Sequence, residues 1–205
     1  MPAHVDRVAV FIDGQNAYRA ARRAFGLTKL PNEHGNFSPY QLARHLAAGN
    51  DRGSDGVLVR VEIHRGIPSS SRDPTGFAAN RRQSAAWMKE NPELVFPKLR
   101  PLRYPEDPAG EPQEKGIDVQ LALSAVEHVL TNKCEVAIIF SHDTDLVPAI
   151  EMISRICSRN HVETAAWSSP EHRSRLHPKP EVFHHAVDEP VFRRIETPIN
   201  YAHAT

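Results

Sequence analysis

Short apolar runs alternate along this chain with longer segments in which apolar residues recur every three to four positions. The short runs predict β-strands at residues 8–12, 57–64, 95–102, 136–140 and 162–167. The longer segments predict helices at residues 15–25, 39–48, 77–91, 117–130 and 146–159. Strands and helices that alternate in this order are typical of an α/β domain with a mostly parallel central sheet flanked by helices.

Three segments do not fit this alternation. Residues 104–112 contain three prolines and a glycine and predict a loop, and residues 168–180 predict a second connection. Residues 181–201 carry two short apolar pieces, VFHHAV and PVFRRI, which predict either an edge strand or a cover for the core. A chain of 205 residues suits one domain. We expect a core at about 7–167 and a packed extension at 168–205.

Charge changes this picture only locally. Lys and Arg total 25, as do Asp and Glu, so net charge neither favours nor excludes a nucleic acid partner. Residues 60–103 nevertheless hold nine basic and four acidic side chains. A basic surface beside acidic residues suits a bound polyanion. The alternative for each single side chain is an ordinary solvated charge.

Cysteine content and hydropathy indicate the compartment. Cys134 and Cys157 are too few and too far apart for a disulfide framework or a zinc site, which indicates a reducing environment. No apolar run has the length of a membrane span, and residues 1–7 lack the pattern of a signal peptide. We therefore expect a soluble, cytoplasmic protein with no membrane partner.

Carboxylates follow or precede the predicted strands at positions that one edge of the sheet would share. Asp13 ends the first strand, Asp143 and Asp145 follow the fourth, and Asp118 opens the helix before the fourth. Because parallel strands place their carboxyl ends on one edge, these four side chains are expected to converge. Helix capping explains one acid per helix start, but not a pair beside a separate aspartate. Mg²⁺ or Mn²⁺ would relieve their mutual repulsion and hold a phosphodiester.

Two basic residues are candidates for contact with a phosphate. Arg65 ends the second predicted strand and Lys115 precedes the helix that carries Asp118. Both can reach a phosphate at the edge of the sheet, and arginine can do so with two parallel hydrogen bonds. The histidines at 172, 177, 184 and 185 lack the spacing of a zinc site.

Five segments together carry a resemblance to a known family: FIDGQN, VRVEIHRGIP, RPLRYP, EKGIDVQLAL and AIIFSHDTDLVPAIE. They resemble the NYN domain, a PIN-like nuclease fold, with weaker echoes at residues 183–185 and 200–201. The resemblance implies a Rossmann-like three-layer sandwich that binds Mg²⁺ or Mn²⁺ and cleaves RNA, single-stranded or structured. It implies catalytic roles for Asp13, Asn16, Asp118, Asp143 and Asp145, with the four aspartates as metal ligands. Candidates for contact with the RNA are Arg65, Lys115, Ser141 and His142.

The chain departs from the family pattern at two positions. Ser124 stands where many relatives carry an aspartate, six residues after Asp118 and on a different face of the helix. We expect a neutral or tuning effect, or reduced activity if that acid is a ligand. His142 stands where relatives often have glycine; it can contact phosphate or lie in a partly exposed loop.

Other classes fit the residues less well. A haloacid dehalogenase phosphatase needs an acid two residues after Asp13, where this chain has Gln15, and another where it has Val147. A receiver domain is smaller and needs a lysine at the end of its last strand. The main alternative is an RNA-binding or scaffold module with a weak or inactive site, which Ser124 favours and the retained aspartates oppose. A homodimer through the apolar pieces of the tail and a regulatory protein partner are left open.

Overall fold

Six parallel strands form one sheet within the part of the chain that the computed structural model describes, residues 5–49, 56–106 and 110–203. Their spatial order is β3-β2-β1-β4-β5-β6. The strands are β1 Asp6–Asp13, β2 Gly56–Ile67, β3 Val95–Pro101, β4 Val136–Phe140, β5 Val162–Trp167 and β6 His184–Val187. The predicted α/β class with a parallel sheet is confirmed.

Six α-helices connect and cover these strands in the described ranges. They are α1 Gly14–Ala24, α2 Pro39–Ala47, α3 Pro74–Glu90, α4 Ile117–Leu130, α5 Val147–Ile156 and α6 Glu189–Ile195. The prediction for α3 began three residues late, because Asp73 caps this helix by accepting a hydrogen bond from the Gly76 backbone at 2.8 Å. The helix predicted at 146–159 is shorter, since 3₁₀ turns at Thr144–Leu146 and Arg159–His161 flank it.

The sheet separates two apolar clusters, so the molecule has three layers. Val8, Val10 and Ile12 of β1 pack with α1, α2, α3 and α6 on one face. Ala9 and Phe11 pack with α4 and α5 on the other. Successive side chains of a strand point to opposite faces, and both faces of β1 are buried because helices cover both.

Trp167, at the end of β5, joins several elements of the first cluster. Its ring meets the edges or faces of four phenylalanines, with centroids 4.8–5.9 Å away. Its indole N–H donates to the Ala17 carbonyl of α1 at 2.9 Å. Phe192 of α6 is one of those phenylalanines, and β6 pairs in parallel with β5. Residues 181–201 therefore supply both an edge strand and a cover for the core.

Parts of the irregular segments and the chain ends lie outside the described residues. The loop predicted at 104–112 is irregular at 104–106 and 110–112, and its centre lies outside the described residues. Residues 1–4, which bear on the signal-peptide prediction, lie outside them too. No described helix is both long enough and apolar enough to cross a membrane.

The strand order reverses direction at β1, and this reversal places the site. The chain runs from β1 outward to β2 and β3, then returns to β4 on the other side of β1 and continues to β5 and β6. Connections that leave neighbouring strands in opposite directions open a crevice at their carboxyl ends. Asp13 lies there, opposite His64 of β2, and Ile12 lies opposite Phe140 of β4.

Candidate metal centre

Asp13 ends β1 and also caps α1. Its role as a helix cap and its place among the converging carboxylates are therefore compatible. One carboxylate oxygen, Oδ1, accepts the backbone N–H of Asn16 at 3.0 Å. The other, Oδ2, accepts the hydroxyl of Ser141 at 3.1 Å. The residue is only 5% exposed. An apolar strand that runs straight into a helix start thus holds a carboxylate in a buried, fixed position.

The turn after β4 is tied to the end of β1 by two polar side chains. The Ser141 hydroxyl donates to Asp13 and accepts the backbone N–H of Asp143 at 3.0 Å. Asn16 Oδ1 accepts the backbone N–H of His142 at 3.0 Å. Asp143 in turn accepts the N–H of Asp145 at 2.9 Å and caps the 3₁₀ turn. Asn16 and Ser141 therefore position the second group of acids against the first.

Three aspartates meet at the crevice. Asp13, Asp118 and Asp143 each place a carboxylate oxygen within 4.8 Å of the others. Asp118 stands in the first turn of α4, after Gly116, whose φ of 72° suits glycine. Asp145, the fourth predicted ligand, is exposed and lies outside this group, although its charge reaches Asp118. We call Asp13, Asp118 and Asp143 the acid cluster.

Burial and mutual repulsion make the acid cluster unfavourable as three free carboxylates. Burial raises the pKa of Asp13 to about 7, and Asp118 and Glu114 add to the increase against the hydrogen bonds from Asn16 and Ser141. The pKa of Asp118 is also raised, by burial first and then by Asp143. A site that disfavours negative charge and offers only oxygen ligands fits a hard divalent cation such as Mg²⁺ or Mn²⁺.

Glu114 belongs to the surroundings of the acid cluster and is absent from the predicted site. Its Oε1 accepts the backbone N–H of Gly66 at 2.7 Å, and its charge raises the pKa of both Asp13 and Asp118. A Cβ at Gly66 would lie 2.8 Å from that oxygen, so glycine permits the contact. The sequence pointed to Glu114 only through its place in the segment EKGID. Glu114 lies in an irregular segment, so no strand or helix periodicity predicts which way its side chain points.

The four residues predicted to touch RNA occupy different environments near the acid cluster. Arg65 donates to the Gln83 side chain, and burial lowers the pKa of Arg65 against the charge of Glu114. Lys115 is exposed beside the start of α4. His142 is half-buried, and burial lowers its pKa, so its ring is neutral at pH 7. Ser141 is buried and is committed to Asp13 and Asp143.

Ser124 takes part in a separate buried network. Its hydroxyl donates to Glu62 at 2.7 Å, and Glu62 is fully buried. Glu62 also bonds to Arg60 at 2.7 Å and to His64 at 3.0 Å, and these hydrogen bonds hold the pKa of Glu62 well below its usual range, although burial opposes them. Glu62 lies opposite Phe11, two residues before Asp13 on β1. An aspartate at 124 would face this carboxylate, which gives a physical reason for serine here.

The strand order and the acid cluster at the reversal point define a Rossmann-like α/β protein with a candidate metal centre. The model of the NYN domain matches residues 7–172, and the chain belongs to this family, whose members are nuclease-like and have a PIN-like fold. Comparison with curated proteins finds no match. The chain is similar to a protein of unknown function from Vibrio parahaemolyticus RIMD 2210633, known from a crystal structure, with 19% identity and a TM-score of 0.60. The match covers 94% of this chain and 98% of that one, which shows a shared fold.

Proposed function

We propose that this protein is a metal-dependent ribonuclease that cuts RNA internally, at the acid cluster. The observation that carries the proposal is the meeting of three carboxylates from β1, α4 and the turn after β4 within 4.8 Å. Membership of a nuclease-like family supports hydrolysis of phosphodiester bonds as the chemistry. Two free cysteines suit a reducing compartment, and we include a cytoplasmic location in the proposal.

Asp13, Asp118 and Asp143 would hold the Mg²⁺ or Mn²⁺ ion. A bound divalent ion of this kind makes water more acidic and offsets charge on the phosphate in the transition state. Asp145 is exposed, its charge acts on Asp118, and it would contact the ion through water. The carboxylates are brought together before substrate arrives, so little rearrangement is needed on binding.

Neighbouring residues would position the cluster and the RNA. Asn16 and Ser141 fix the distance between the ends of β1 and β4 through their hydrogen bonds to His142 and Asp13. Arg65 and Lys115 would attract the RNA backbone, Arg65 from within the protein and Lys115 from the surface. Arg60, by contrast, is paired with Glu62 and stacked 3.9 Å from the Phe96 ring centroid, so it is occupied in the fold.

The alternative of an inactive RNA-binding module loses its main support. Ser124 favoured that alternative because many relatives carry an acid there. In the structure Ser124 binds Glu62, and Asp13, Asp118 and Asp143 lie together without it.

Cleavage of labelled single-stranded RNA in Mn²⁺ and in Mg²⁺ tests the proposal. We expect cleavage with metal, none with EDTA, and none with Asp13→Asn. Asp188→Asn is the matched control, because Asp188 is also a helix cap. It precedes α6 and accepts the Val191 N–H at 3.1 Å, and it is not part of the acid cluster. Cleavage that persists in EDTA or in Asp13→Asn would refute the assignment. RNA binding without cleavage by the parent protein would support the inactive alternative.

A further inference from the structure

A cavity of about 510 Å³ lies beside the acid cluster, and the proposed cleavage reaction gives it no role. It is lined from α1, α3, the segment after α1 and the C-terminal residues 199–203. Gly14 and Gln15, which follow Asp13 directly, form part of the wall. The volume is in the range of sites for small organic groups. The cavity wall therefore begins one residue after Asp13.

Aromatic rings and carboxamides dominate the cavity wall. The rings are Tyr18, Phe37, Trp87 and Tyr201, and the carboxamides include Asn32, Asn36, Asn80 and Gln83. Proteins bind unpaired bases by stacking them on aromatic rings and by hydrogen bonds to their edges. Carboxamides carry both donors and acceptors, as base edges do. The wall thus matches the chemistry of a nucleobase better than that of a charged or purely apolar ligand.

Three polar atoms of residues in this wall are buried without a hydrogen-bond partner among the described residues. They are Nε of Arg65, Oδ1 of Asn80 and Nε1 of Trp87, two donors and one acceptor. Buried polar atoms without partners are destabilising and uncommon in native proteins. All three belong to residues of one wall, but each atom is itself covered by protein, so these atoms do not contact the interior of the cavity.

Hydrogen bonds between distant parts of the chain hold the wall in place. Gln83 accepts from Arg65 and donates to Asn36 Oδ1 at 3.0 Å. Asn36 donates in turn to the Ile199 carbonyl at 3.3 Å. Arg82 donates to the Tyr201 carbonyl at 2.8 Å, which fixes the C-terminal segment against α3. A wall fixed in this way is preorganised, which lowers the entropic cost of binding a ligand.

We propose that this cavity binds one unpaired nucleobase of the RNA, adjacent to the phosphate that is cut. This inference rests on the proposed ribonuclease function. Arg65 connects the two places, because it lines the cavity and is also close enough to Glu114 for the two charges to interact. A base inside a duplex cannot enter such a cavity without leaving its stack. The substrate class is therefore single-stranded RNA, or an unpaired nucleotide in structured RNA.

Nucleosides without phosphate provide a test that is independent of catalysis. Adenosine, guanosine, cytidine and uridine are titrated into the protein in EDTA, and quenching of tryptophan fluorescence reports binding. Trp87 lines the cavity, whereas Trp167 is buried in the core, so Trp87→Phe identifies the source of the signal. We expect quenching by at least one nucleoside in the parent and in Asp13→Asn, which keeps the cavity intact.

A matched pair of variants on α3 locates the binding. Ala79 lines the cavity and Ala85 is exposed on the same helix, so Ala79→Phe fills the space and Ala85→Phe does not. We expect Ala79→Phe to weaken binding of the nucleoside and of single-stranded RNA about tenfold or more, and Ala85→Phe to leave both unchanged. Absence of binding by all four nucleosides, or equal binding by both variants, would overturn the proposal. Nucleoside binding by a protein that never cleaves RNA would refute the ribonuclease and retain the base-binding cavity.

Discussion

Asp13→Asn removes one buried negative charge and keeps the shape of the side chain. In the metal-free protein the pKa of Asp13 is about 7, against an ordinary value of 3.8, chiefly because burial disfavours the charged form. The folded chain therefore holds this proton more tightly than the unfolded chain does. It follows that the contribution of Asp13 to the free energy of unfolding of the metal-free parent falls as the pH rises from about 4 through 7.

The size of this effect follows from the pKa. At about 1.4 kcal/mol for each pH unit, ionised Asp13 costs the metal-free fold about 4 kcal/mol once the pH is well above 7. Asparagine cannot ionise, so the variant is spared this cost. We expect the variant to gain about 3 kcal/mol relative to the parent between pH ~5 and pH ~8. The rest of the chain is the same in both proteins, so the difference reports the ionisation of Asp13 and its interaction with Asp118.

Urea unfolding in EDTA, repeated across this pH range, measures the difference. Mn²⁺ should then stabilise the parent, because a ligand that binds only the folded state favours it, and should stabilise Asp13→Asn far less. Asp188→Asn, which alters an exposed helix cap, should lose about 1 kcal/mol or less at every pH. A difference between parent and Asp13→Asn that is constant or shrinks with rising pH would refute the argument from burial. Equal stabilisation by Mn²⁺ would exclude Asp13 as a ligand.

Three further substitutions test other parts of the structure by urea unfolding. Ser124→Asp should lower the free energy of unfolding by about 2 kcal/mol, because a second carboxylate would face buried Glu62. It should not raise RNA cleavage, and a stable, more active variant would contradict this prediction. Arg22→Leu should cost about 3 kcal/mol, because its guanidinium donates to four backbone carbonyls of the segment after α1; a loss under about 1 kcal/mol would contradict this. Burial lowers the pKa of His184 to about 4, so protonation of this ring disfavours the fold as the pH falls from about 6.5 to 4. His184→Gln should therefore gain about 2 kcal/mol relative to the parent over this range, and a constant difference would contradict this.

Most of the sheet was predictable because its strands are continuous apolar runs covered on both faces. β4 and β5 begin and end where the pattern predicted, and α4 does as well. β6 was left open between two interpretations, since it is four residues long and contains two histidines. His185 is nonetheless buried, and its Nε2 lies 2.7 Å from a carboxylate oxygen of Glu163. Two buried polar side chains that pair inside a sheet cannot be distinguished in the sequence from polar side chains on the surface.

The candidate site was also predictable only in part. The approach of Asp13, Asp118 and Asp143 followed from the rule that parallel strands end on one edge. Asp145 was expected with them, but the 3₁₀ turn leaves it exposed. The catalytic roles of these residues stay predictions, as do a homodimer and a regulatory partner. The cavity could not be foreseen, because it joins Gly14 to a segment almost 190 residues away, and no periodic pattern connects them.

The placement of residues 199–203 in the cavity wall bears on how recombinant protein is prepared. A purification tag fused after residue 205 would begin within a few residues of the opening and could occupy it as a false ligand. β1 instead begins at Asp6, at the opposite end of the strand from Asp13 of the acid cluster. Protein tagged at its amino end should bind nucleosides as tag-free protein does, whereas a carboxyl-terminal tag should compete with them.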